Sequence, residues 1–118
     1  MKTFVFAALA LIAPVAAHAQ DASAGKAVFT QCTACHAYKP GAVGVAAPNL
    51  YGVVGRKAAS TQFSYSAALK ASKLTWDKAT LNTFLKGPSK LVPGTRMAVA
   101  ITNDTQRANL IAYLATLK

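Results

Sequence analysis

Carboxylates are scarce in this chain. Against 13 lysines and arginines it has 3 acidic residues, a formal charge of +10 over 118 residues. Such a cation can meet nucleic acid, an anionic membrane or an acidic protein. Its lysines are scattered singly from Lys26 to Lys118, however, and the absence of a basic run removes the arm that nucleic-acid binding would use. What stays is a solvated cationic surface or a docking face for an acidic partner. Beside Cys32 and Cys35 there is no second Cys/His pair to complete a tetrahedral zinc shell. Internal repeats and linkers are missing too, so one domain is expected. No stretch reads as a convincing strand, which puts the fold in the all-α class.

No apolar run is long enough to span a membrane. The best of them, Thr3 to Val15, falls short of the ~18 residues a span needs and carries Pro14 near its end. With Met1-Lys2 ahead and the small-x-small pattern Ala17-His18-Ala19 behind, residues 1–19 read as a secretory leader cleaved before Gln20. Residues 20–118 would then be the working domain. Those 99 residues carry +9 once Lys2 is lost, and their modest core would gain from a large apolar cofactor. Export with no stable membrane insertion after cleavage, from an Ala-rich leader, points to the bacterial periplasm.

What the chain does have is Cys32-Thr33-Ala34-Cys35-His36. Two thiols three positions apart, followed at once by an imidazole, can attach a haem covalently and ligate its iron. A redox dithiol or a plain disulfide is the alternative. A dithiol of that kind opens a helix after a strand, whereas Ser23 to Gln31, with Val28 and Phe29 as its apolar residues, reads as a short helix. Without residues 1–19, His36 is the only histidine and Met97 the only methionine, so His/Met is the one conventional axial pair available. Metal ligation is therefore expected at His36 and Met97.

Further along, Ala37 to Ala59 is rich in small residues, Gly and Pro, and reads as a long loop over the cofactor. Ser66 to Ser72 predicts a short helix. Thr75 predicts a cap for a helix from about Trp76 to Lys86, stopped by Gly87-Pro88. A second loop carries Pro93-Gly94-Thr95-Arg96-Met97. The last helix is the clearest, with Asn103 and Gln106 as a capping box and Leu110, Ile111, Leu114 and Leu117 on one face.

This set of landmarks resembles class I cytochrome c, of the mitochondrial type and its close bacterial relatives, over nearly all of residues 20–118. Those that carry the resemblance are the Cys-x-x-Cys-His motif, Gly25 and Phe29, Pro48-Asn49-Leu50, Gly55-Arg56-Lys57, Phe63-Ser64-Tyr65, Trp76, Pro93-Gly94-Thr95 with Met97, and Leu110 to Leu114. The resemblance implies short helices and long loops wrapped around one haem c per chain. It makes Cys32 and Cys35 the thioether attachments, His36 the proximal ligand and Met97 the distal one. It gives the Pro48 carbonyl to the other ring N–H of His36, and Arg56, Tyr65, Trp76 and Thr95 to the buried propionates. Gly25, Phe29, Leu110 and Tyr113 resemble the residues where the family's first and last helices cross.

Two departures concern the distal side, where the family usually has a tyrosine and often an asparagine: this chain has Phe84 and Leu69. The segment Ala98-Val99-Ala100-Ile101 is one residue shorter than usual. Thr102-Asn103-Asp104, Gln31 and Ser89 stand where relatives often carry lysines. The function the resemblance implies is a soluble, monomeric one-electron carrier, not an enzyme, with oxidases, reductases or reaction-centre complexes bearing acidic surfaces as partners. The competing class is a peroxidase or a diatomic-gas sensor with a labile methionine. No distal acid/base pair supports it, because the one remaining histidine is already used.

Overall fold

The computed structural model describes residues 20–118 and, ahead of them, residues 2, 3, 5 and 8. The leader expected over residues 1–19 otherwise lies outside the described residues. The chain is helical, and no strand occurs among the described residues. Helix α1 runs over Ala22–Phe29 because Asp21 accepts hydrogen bonds from the Ser23 and Ala24 N–H groups, at 2.9 and 3.2 Å. It tightens into a 3₁₀ turn over Thr30–Ala34, so the helix expected to Gln31 changes type two residues early. Helix α2, Ala67–Ser72, is capped by Ser66.

Helix α3 spans Lys78–Lys86 and differs from its expected start. The cap is Asp77, whose carboxylate accepts from Thr80 N–H at 2.7 Å, and not Thr75. Residues 75–76 are held by the long loop instead. Thr75 pairs with Lys57 in an isolated antiparallel bridge, and Trp76 N–H donates to the Arg56 carbonyl at 2.8 Å. The expected stop at Gly87-Pro88 holds, but Pro88 also opens a further short helix, α4, Pro88–Leu91. Proline fits there because the first helical position needs no N–H.

Helix α5, Asp104–Leu114, is capped by Asn103, which accepts from Gln106 N–H at 2.9 Å. It crosses α1, and this pair forms the fold's main helix contact. Gly25 makes the crossing possible: a Cβ built there would lie 1.9 Å from the Asn109 carbonyl oxygen, inside any van der Waals contact. Phe29 stacks on Tyr113 beside the crossing, ring centroids 5.0 Å apart. Leu110, Ile111 and Leu114 turn inward to join Phe29, Trp76, Leu81, Phe84 and Leu85 in the core. Leu117, one turn past the helix end, is half-buried against them.

Candidate haem-binding site

The core is not closed. A cavity of about 280 Å³ opens inside it. One wall comes from the 3₁₀ turn, where the Cys32 carbonyl accepts from both Cys35 N–H at 3.2 Å and His36 N–H at 2.9 Å. These two hydrogen bonds to one oxygen curl the five-residue motif so tightly that Cys32, Cys35 and His36 all line the same cavity. The two sulfurs are not joined to each other in a disulfide. Burial pushes the Cys32 thiol up from its ordinary value.

His36 is oriented by the long loop. Its Nδ1 lies 2.7 Å from the Pro48 carbonyl oxygen. A carbonyl only accepts, so Nδ1 carries the ring proton and Nε2 keeps its lone pair. Burial holds the imidazole below the ordinary histidine range; the Pro48 bond opposes that effect and the Arg56 charge adds to it. A neutral imidazole with a fixed tautomer is the form that ligates a metal.

Arg56 lies beneath this loop, half-buried. Its two amino groups donate to the Asn49 carbonyl at 2.9 Å and the Tyr51 carbonyl at 3.1 Å. Its Nε is buried with no hydrogen-bond partner. A buried, unpartnered donor of a cationic group costs about 1–3 kcal/mol or more, so the site asks for an anionic acceptor at that atom. The propionates of a haem supply one, and the apolar walls suit a flat macrocycle. The residues present therefore fit the group.

The remaining site residues converge on the same cavity in different ways. Tyr65 is buried, and its hydroxyl is engaged by the hydroxyl and N–H of Thr61. Trp76 is buried against Phe84 with ring centroids 4.8 Å apart. Thr95 donates its N–H to the Val92 carbonyl at 3.0 Å and so turns the chain into Met97. Met97 and Leu69 line the cavity half-buried, and Phe84 lines it fully buried. The residue that sequence reasoning missed is Arg107, buried on α5. The signal was present, since 107, 110, 111 and 114 share one helical face, and a charge there is out of pattern.

A small helical domain that brings two thiols, an imidazole and a thioether to one apolar cavity is the architecture of a haem-carrying electron-transfer protein. A cytochrome c family model matches residues 22–118. The chain is 52% identical over 99 residues to a cytochrome c of Tetrahymena pyriformis, covering 82% of this chain and 89% of that one. It is 45% identical over 102 residues to a cytochrome c2 of Rhodoblastus acidophilus, covering 85% and 95%. The solved structure of cytochrome cH from Methylobacterium extorquens superposes with a TM-score of 0.73 at 44% identity, covering 81% of this chain and 98% of that one. The chain belongs to the cytochrome c family. Its members carry electrons on a covalently bound haem c and are not enzymes.

Proposed function

We propose that this protein is a periplasmic one-electron carrier in which Cys32 and Cys35 hold the haem by thioethers and His36 and Met97 are its axial ligands. The observation that carries the reading is the convergence of those four side chains on one cavity, with His36 already in the ligating tautomer. When bound, the haem supplies the change of one electron at iron. The chain's own residues do the rest. Pro48 fixes the His36 ring, Arg56 offers its unpartnered Nε to a propionate, and Tyr65, Trp76 and Thr95 wall the propionate side. Phe84 and Leu69 bring no hydroxyl or amide to the distal side, which keeps water from Met97.

With His36 and Met97 both ligating, no position would be left for an outside ligand, and a one-electron change would require little rearrangement of the protein. Every lysine from Lys26 to Lys118 is exposed, and a cationic surface speeds encounter with an acidic partner such as a membrane-bound oxidase, reductase or reaction-centre complex. Periplasmic residence rests on the leader pattern of residues 1–19, with residues 20–118 as the mature domain. The family match starting at Ala22 supports that division, and among the described residues no helix is long and apolar enough to cross a membrane. Intact-mass and peptide analysis of the exported protein tests the reading. A chain starting at Gln20 with one haem added across Cys32 and Cys35 is the expected result. Unmodified thiols or an uncleaved chain would contradict it.

A further inference from the structure

Among the described residues one charged side chain is buried in the interior: Arg107, 4% exposed on α5. A guanidinium taken out of water is costly unless its N–H groups are met. Those of Arg107 are met from three directions. Nε donates to Asn82 Oδ1 of α3 at 2.7 Å, and one amino group donates to Asp104 Oδ1 at 2.6 Å. The other amino group donates to the Ile101 carbonyl at 2.9 Å and, at 3.4 Å, to that of Thr102. Asn82 ties α3 to α5, and Asp104 lies within Arg107's own helix. The two carbonyls belong to neither helix. They are the far end of the strap that carries Met97.

That strap is fixed at both ends and loose between Met97 and its far end. At its start, Thr95 N–H donates to Val92 and the Arg96 guanidinium donates to the Ser64 carbonyl at 2.7 Å. After Met97 come Ala98, Val99 and Ala100, all exposed. The chain is then caught at Ile101, whose side chain is buried and whose N–H donates to the Leu85 carbonyl at 2.7 Å. Arg107 takes the carbonyl of the same residue. Ile101 is thus pinned through every group it has, and four residues of chain reach at most about 14 Å, so this pin bounds how far Met97 can travel.

We infer that Arg107 is a positioning residue for Met97: by holding the Ile101 and Thr102 carbonyls it keeps the strap closed over the cavity and the sulfur in its seat. Asp104 neutralises the guanidinium from the solvent side and keeps it aimed. The inference rests on Met97 being an iron ligand, and it adds the residue that sets how often that ligand leaves. A strap that swings out must break the charge-assisted bonds to Ile101 and Thr102, whereas the bond to Asn82 is untouched by that motion.

The test is the rate of carbon monoxide binding to the ferrous holoprotein, with the near-infrared methionine band of the oxidised form, in wild type, Arg107→Gln, Arg107→Lys, Asn82→Ala and Met97→Ala. Wild type is expected to bind slowly. Arg107→Gln should bind about tenfold faster or more, the factor that loss of one charged hydrogen bond corresponds to, and should lose the methionine band on warming before its helical signal. Arg107→Lys keeps the charge but on a single nitrogen and should fall between them, which preserves the comparison if Arg107→Gln does not assemble. Asn82→Ala should unfold at lower denaturant with its binding rate unchanged. Equal acceleration by Asn82→Ala and the Arg107 variants, in step with global stability, would overturn the inference, as would Arg107 variants that bind no faster than wild type. A wild type as fast as Met97→Ala would instead remove Met97 from the iron and overturn the ligation reading itself.

Discussion

Gly25 shows how much one side chain can decide. Its backbone lies against the Asn109 peptide so closely that an added methyl would sit 1.9 Å from the carbonyl oxygen and 2.5 Å from its carbon. Both atoms are backbone, so no rotamer change relieves the clash and α1 must move off α5. Gly25→Ala is expected to destabilise the holoprotein by about 2–4 kcal/mol, the range of severe overpacking, even though alanine is the better helix former. Denaturant unfolding of the two proteins measures it. A loss under 0.5 kcal/mol, the ordinary surface value, would mean that the crossing is looser than described. The same scale explains which site residues were legible. Cys32, Cys35 and His36 act through a local spacing that three letters of sequence encode. Arg107 acts through Asn82, Ile101 and Asp104, partners as far as 25 positions away, and only the closed fold brings them together.

At the scale of the elements, each of the chain's three carboxylates stands at the start of a helix. Asp21 caps α1, Asp77 caps α3, and Asp104 opens α5 while pairing with Arg107. All three are held below the ordinary carboxylate value of 3.8. The first causes are the Ser23 side-chain hydrogen bond for Asp21, the Thr80 N–H for Asp77 and the Arg107 hydrogen bond for Asp104. A depressed value in the folded state means that the unfolded chain binds protons more readily. Stability contributed by these groups is therefore present above about pH 4 and lost as pH falls through their folded-state values. Thermal midpoints across the carboxyl range should decline on acidification. Asp77→Asn, which caps without charge, should flatten part of that decline, and Asp77→Ala should lower the midpoint at every pH. An acid limb identical in wild type and Asp77→Asn would contradict the capping account.

These ends also mark where sequence reading succeeds. Helix α5 was legible because cap, spacing and apolar face agree. The start of α3 was not, because Thr75 and Asp77 are both competent caps and the choice between them is made by Lys57 and Arg56 across the long loop. Helix α4 was hidden because Pro88 reads equally as a stop and as a start.

The whole molecule is a cation wrapped around an apolar cavity, and the two properties serve one purpose. In the proposed reading the cavity holds the haem and the charge brings acidic partners to it. With a formal charge of +9 on residues 20–118 and exposed lysines spread over the surface, electron transfer to an acidic partner should slow as salt rises, because charges more than about 10 Å apart are screened at 0.1 M. Stopped-flow rates over an ionic-strength series check this, and a flat profile would remove steering. Exposed Thr102, Asn103, Asp104 and Ser89 carry no positive charge to add to that attraction.

The most direct test of the account is the near-infrared absorption of the oxidised holoprotein beside that of Met97→Ala. If Cys32, Cys35, His36 and Met97 hold the haem as the cavity arranges them, the band that reports a sulfur-to-iron bond is present in the wild type and absent in the variant. A spectrum without that band in the wild type, or the same spectrum in both proteins, would contradict it.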